Sequence, residues 1–211
     1  MMAGKVILSI VIGLGIFALG LRPASAVEMK KPAGRSAPLL QSYAWYDGDK
    51  EKKVWLNPNL AVEFDPGPAG DSPLKKVYPS AKEVESRTGA VRLWKLKGGV
   101  KSEEAVLRLK SLHPEARYSP VMHDTPAGTG RKRALPGNVI VTLNPAWDGA
   151  AVNKWAGSRG LEIVRKLEIG PNVFVIKTGP GLEALETANA LYRSGEVVAA
   201  SPDWWLETET R

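Results

Sequence analysis

Cysteine is absent from the 211 residues. Disulfides, a lipid-modified cysteine anchor and thiolate chemistry are therefore excluded, and stability must come from packed cores. Histidine occurs twice, as His113 and His123, without a His-x-x-x-His spacing. Without thiolates or clustered imidazoles, no metal or other cofactor is expected. His113 stands before Pro114 at a predicted helix end, where the dipole favours a cation, and His123 in a predicted loop beside Asp124. Long apolar runs are missing after residue 26, so no later stretch is expected to cross a membrane. Gly98-Gly99 and Gly179-Pro180-Gly181 lack the Lys-Ser/Thr of a phosphate-binding loop and read as tight turns. The acids Glu103, Glu104, Glu183 and Glu186 fall on predicted helices and read as solvated faces, not as paired acid–base groups.

What the chain does have begins with an export signal. Lys5 supplies the positive start, Val6 to Leu21 the apolar run, and Ala24-Ser25-Ala26 the small-x-small cleavage pattern. Cleavage after Ala26 leaves 185 residues and lowers the formal net charge from +7 to +5. The expected compartment is periplasmic or extracellular, where nucleic acid is not an expected partner. A basic exported chain meets anionic surface polymers or acidic proteins, or is basic only for solubility. The one dense basic cluster, Arg131-Lys132-Arg133, reads as a solvated loop, with proteolytic processing or an anion contact as alternatives.

The next feature is self-similarity. LAVEFDP (60–66) matches VIVTLNP (139–145) at an offset of 79 residues. AVRLWKL (90–96) matches NVFVIKT, VKSEEAVLRLKSL (100–112) matches LEALETANALYRS, and ARYSP (116–120) matches VAASP, each at 82. Four segments in one order point to an internal duplication. In the second copy, period-2 and period-3.6 patterns predict strands at 138–143, 161–167, 173–177 and 197–200. Helices are predicted at 150–159 and 182–194, with a turn at Gly170-Pro171-Asn172. The order is β-α-β-β-α-β. The first copy shares its strands and last helix, but its second strand has no clear place, and Ser80 to Arg87 looks helical. A hairpin with an Asp47-Gly48 turn is predicted over 42–56.

The expected fold class is therefore α+β: two tandem ferredoxin-like (βαββαβ) modules, the first degenerate, preceded by a β-hairpin. Its boundaries are a signal peptide (1–26), a flexible leader (27–41), a first module (42–124), a linker (125–137), a second module (138–205) and a tail (206–211). The central strands of the second module are apolar on both faces. Helices bury one face; the other needs a cover, supplied by the first copy or by a partner protein. Its candidate residues are Ile140, Phe174 and Ile176. Trp204 and Trp205 close the second copy, and adjacent strand residues point to opposite faces. Either both rings cover the sheet, or the outward one anchors a partner.

VIVTLNP, the run from Gly160 to Leu167, NVFVIK and VVAASPDWW together resemble the N-terminal prodomain of subtilisin-like serine proteases, the fervidolysin type above all. YAWYDG followed by KKVWLNPNLAVEF is similar to the module that precedes such prodomains and that occurs in external chaperones of secreted serine proteases. The resemblance covers about Ser42 to Trp205. It implies a subtilisin-like protease as partner, with the sheet docked on the enzyme and Leu206, Glu207, Thr208, Glu209, Thr210 and Arg211 lying in its cleft as an added strand. In those precursors a catalytic domain follows; here six residues follow Trp205. Neither histidine precedes Gly-Thr, and Gly128-Thr129-Gly130 lacks the nucleophilic serine, so no triad is expected. The function expected is a separate, non-enzymatic inhibitor or folding chaperone of a subtilisin-like protease. The alternatives are a cell-envelope binding module, or a precursor that lacks its catalytic domain.

Overall fold

The computed structural model describes residues 40–68, 70–84 and 91–207. The expected signal (1–26), nearly all of the expected leader and residues 208–211 of the expected tail lie outside them. The described chain runs β1 (Ser42–Asp47), β2 (Lys50–Phe64), α1 (Pro73–Val77), β3 (Lys82–Val84), β4 (Val91–Lys95), α2 (Ser102–Leu112), β5 (Arg117–His123) and β6 (Lys132–Ala134). It continues as β7 (Asn138–Thr142), α3 (Gly149–Gly157), β8 (Ile163–Leu167), β9 (Val173–Lys177), α4 (Leu182–Arg193), β10 (Ala199–Pro202) and β11 (Trp205–Leu206). The fold is α+β, with four described helices and two antiparallel sheets.

The second sheet has the order β10-β7-β9-β8. Numbered within its own unit, that is 4-1-3-2. The larger sheet contains β5-β2-β4-β3, the same order, with β6 and β11 added at one edge and β1 paired to β2. In both units the Ser-Pro dipeptide lies in the last strand at the same register: Pro120 faces Ala61, and Pro202 faces Val139.

The hairpin forms around Gly48 and Asp49, with Asp47 opposite Lys50. Only Gly48 of the two is at positive φ (63°), the pattern of a II′ turn. β2 then runs unbroken from the hairpin into the first unit. Pro58 falls where the β2–β5 register shifts between Leu56 and Ala61, a place where a missing N–H costs no ladder bond. The bulge is tied down: Ser102 Oγ donates to the Asn57 carbonyl at 2.7 Å, and Leu96 N–H to that of Asn59 at 2.8 Å.

Three apolar cores hold the fold. One joins Ala61, Leu74, Trp94, Leu96, Val106, Leu109 and Tyr118 between the first sheet and its helices. Another lies on the opposite face of that sheet, with Val62, Phe64, Val91, Leu93, Val121 and Ala134, and Trp205 packs on it. The largest joins the second unit to the hairpin end of the first, bringing Trp45, Val54 and Met122 against Val139, Val141, Phe174, Ile176 and Leu185. Tyr46 stacks on Tyr192 with ring centroids 4.0 Å apart, and Asn189 Nδ2 donates to the Ala44 carbonyl at 2.9 Å. All described residues fall in one compact unit.

The elements depart from the sequence expectations in several places. Lys82–Val84, inside the stretch that looks helical, is a strand; the end of that stretch lies outside the described residues. The last strand of the second unit is Ala199–Pro202, not 197–200. The linker is not all loop, because Lys132–Ala134 forms β6 between β5 and β11. Trp205 and Leu206 belong to the first sheet, not to the second unit or a free tail.

Candidate functional site

The second sheet presents its two faces unequally. Val139 and Val141 pair with Ile176 and Phe174, so these four side chains share one face, the one packed beneath α3 and α4 with Val152, Trp155, Leu185 and Ala188. Ile140 and Thr142 pair with Val175 and Val173 on the other face, joined by Ser201 and Ala199 from β10 and by Arg165 and Leu167 from β8. Phe174 and Ile176 are therefore core residues, 9 % and 0 % exposed, and are corrected from candidates on the uncovered face. Ile140 alone of the three lies there, and it is half-buried. The reason is register: pairing sets Ile140 against Val175, and a one-residue shift along β9 exchanges the faces. Sequence reasoning missed Val173 and Val175. Both are buried, yet they belong to none of the three apolar cores. No described helix packs on their face. The signal that finds them is the alternation within NVFVIK once Val139 is matched to Ile176.

The C-terminal indoles are engaged by the chain itself. Trp204 packs edge-on to Trp45 with centroids 5.5 Å apart, and the Arg133 guanidinium lies 5.7 Å from the Trp204 ring and 5.8 Å from that of Trp45. Trp205 pairs with Ala134, and Leu206 with Arg133. Glu207 N–H donates to the Lys132 carbonyl at 3.0 Å, and its carboxylate meets Lys132 Nζ at 2.6 Å. Both rings are half-buried, and the contacts they make are within the chain, as in the alternative in which the rings cover a sheet. Leu206 and Glu207 are likewise bound to β6; Thr208, Glu209, Thr210 and Arg211 lie outside the described residues. Lys132 and Arg133 of the basic cluster are correspondingly occupied, while Arg131 is exposed and precedes β6. Arg133 also pairs with Asp124 at 2.5 Å, and strand pairing on both sides replaces the expected solvated loop.

His113 ends α2, half-buried, with Nδ1 3.5 Å from a Glu115 oxygen. His123 is in β5, not a loop, and is 3 % exposed. Its Nε2 lies 3.1 Å from Asn57 Nδ2, while Nδ1 has no partner among the described residues. Burial, and then the charge of Lys132, hold its pKa below the ordinary histidine value. Among the described residues, no three His, Asp or Glu side chains are placed to share a metal ion. No described helix is long and apolar enough to cross a membrane.

One buried ionic group escaped the sequence reading. Glu63, 4 % exposed under the helices of the first unit, accepts from Ser72 Oγ (2.9 Å), Trp94 Nε1 (2.8 Å) and Arg92 Nη1 (3.3 Å) on one oxygen and from the Tyr118 hydroxyl (3.0 Å) on the other. Tyr118 in turn accepts from the Leu74 N–H at 3.2 Å, which satisfies a free donor at the start of α1. Burial, with a smaller contribution from the Glu63 charge, raises the Tyr118 hydroxyl to about 12. Every polar group in this cluster is spoken for, so it serves to position α1 against the sheet. No protein-family model matches the chain, and no similar curated protein or solved structure was found.

Proposed function

We propose that this chain is an exported, non-enzymatic partner of a subtilisin-like serine protease, acting as its inhibitor or folding chaperone. In this reading the two units are tandem ferredoxin-like modules of prodomain type, the first degenerate and preceded by the hairpin. The repeated 4-1-3-2 strand order and the matched Ser-Pro registers support the module reading. The observation that carries the functional reading is the helix-free face of the second sheet. Ile140, Val173, Val175 and Leu167 form an apolar row there, flanked by Thr142, Ala199 and Ser201. Val173 and Val175 are already 7 % and 2 % exposed, so the gain on docking comes from Ile140 and Leu167, each half-buried and therefore worth less than the about 1.5–3 kcal/mol of a side chain taken fully out of water.

The mechanism is docking by the sheet face. Leu206 and Glu207 are already bound to β6, so for these two residues to join an added strand in the cleft the pairing with Arg133 and the Lys132–Glu207 pair must break, and the sheet face is taken as the primary contact. The test is to add the exported form of the chain to a subtilisin-like protease from the same organism, and to follow both hydrolysis and refolding of the denatured enzyme. Slower hydrolysis or a higher refolding yield is expected; no effect on either, across the subtilisin-like proteases of that organism, overturns the proposal.

A second reading, a non-catalytic cell-envelope module, is favoured by one observation: Trp204 and Trp205 both rest on the chain's own first unit and offer no free anchor. Co-sedimentation with isolated envelope, together with no effect on proteases, is its expected signature.

A further inference from the structure

A groove of about 280 Å³ lies between α2 and α4, on the helix side of both sheets. Its floor is apolar: Val106 and Leu107 from α2, Pro120 from β5, and Pro180 and Leu182 at the start of α4. Leu107 is 64 % exposed there, a large aliphatic on the polar side of an amphipathic helix. The rim is acidic. Glu183 is matched, because Lys110 pairs with it and the Gly179 N–H donates to it at 2.9 Å. Glu103 and Glu186 have no ion-pair partner among the described residues. At that end the Tyr43 hydroxyl donates to Glu103 at 3.4 Å and accepts from Gln41 Nε2 at 2.8 Å. The Tyr43 hydroxyl is pushed up to about 12, first by burial, then by the charge of Glu103 and, less, of Glu186. Local negative potential of this kind runs against the chain's formal net charge of +7.

We propose that the groove between α2 and α4 docks a basic segment of a partner protein, in which leucine-type side chains are flanked by lysine or arginine. The apolar floor takes the aliphatic groups, and Glu103 and Glu186 pair with the flanking cations. A groove of this size holds one or two side chains, not a whole helix, so the segment enters by its anchors. This surface is separate from the helix-free sheet face, and the proposal does not rest on the protease reading. Two partners can be held at once.

The probes are fluorescein-labelled peptides, Lys-Leu-Leu-Lys, Glu-Leu-Leu-Glu and Lys-Ser-Ser-Lys, titrated into the full chain with anisotropy as the readout. Lys-Leu-Leu-Lys is expected to bind, to weaken with added salt, and to lose about tenfold or more in affinity in the Glu103→Gln/Glu186→Gln double variant and in Leu107→Ser. Thermal melts of both variants show whether the fold is kept, and refolded Glu186→Gln alone provides the comparison if either is damaged. The proposal is overturned if Lys-Leu-Leu-Lys fails to bind, if either control peptide binds as well, or if folded variants bind as tightly as the parent. Self-association of the chain that Leu107→Ser abolishes also overturns it, by assigning the groove to a second copy.

Discussion

Glu63 occupies the position that Val141 holds in the second unit: each faces the last strand at Tyr118 or Ala200, and the third at Arg92 or Phe174. One unit thus closes its helix side with a carboxylate and its donors, the other with valine and phenylalanine. Removing Glu63 takes from Arg92 its buried partner, leaving it Glu83 at 3.5 Å and the Gly67 carbonyl at 3.1 Å, and deprives Ser72, Trp94 and Tyr118 of their acceptor. Glu63→Val is expected to lower the unfolding free energy by roughly 3–5 kcal/mol in urea titration. Adding Arg92→Phe, which installs the second unit's pair, is expected to recover part of that loss. A double variant no more stable than the single would show that the hydrogen bonds, not the Arg92 charge, dominate.

His123 supplies the pH dependence. Its folded pKa is depressed, so the unfolded chain binds the proton more readily. Its contribution to stability is full above the unfolded value, about 6.5, and is lost as pH falls through that value toward the folded one. Lys132 opposes the imidazolium, whereas Asp124 and Glu207 act the other way with smaller effect. Melting temperature is expected to drop between about pH 7.5 and about pH 5.5, and His123→Gln is expected to flatten that part of the profile. An unchanged slope in the variant would assign the drop to other groups.

Among the elements, β6 is the one whose existence depends on its neighbours. Lys-Arg-Ala has neither alternation nor β-branched residues, and alone it reads as a loop. It becomes a strand because β5 and β11 offer partners on both sides. Tryptic cleavage after Lys132 or Arg133 is therefore expected to be slow in the native chain and fast in a form truncated after Asp203, as followed by mass spectrometry. Equal rates would mean that β11 does not protect the cluster.

The same contrast explains what the sequence made legible. The helices α2, α3 and α4 and the strands β8 and β9 lie within two residues of expectation, because their patterns follow from burying one stripe or face. The strand match at 79 residues was one residue out. Equivalent registers set Ala61 against Val139, 78 apart, while the later strands keep 82. Apolarity on both faces of β7 and β9 hides register in the same way, since either phase looks hydrophobic, and that is why Phe174 and Ile176 were placed on the wrong face. Glu63 was illegible for a related reason: its donors Ser72, Arg92, Trp94 and Tyr118 meet only after folding.

At the scale of the whole molecule, the two units are interlocked. The hairpin of the first packs on α4 and β10 of the second, and the chain returns from β10 to add β11 to the first sheet. This closure leaves the helix-free face of the second sheet as the proposed docking surface. Thr142 stands on that face between Val173 and Ala199, half-buried, where a longer charged side chain can reach solvent without entering a core. The most direct measurement is the affinity of the folded chain for an active-site-blocked subtilisin-like protease, compared with that of its Thr142→Arg variant at equal melting temperature. Docking by the sheet face predicts binding by the parent and a loss of about tenfold or more in the variant. Equal affinity, or binding that disappears only when Thr208 to Arg211 are removed, would contradict it.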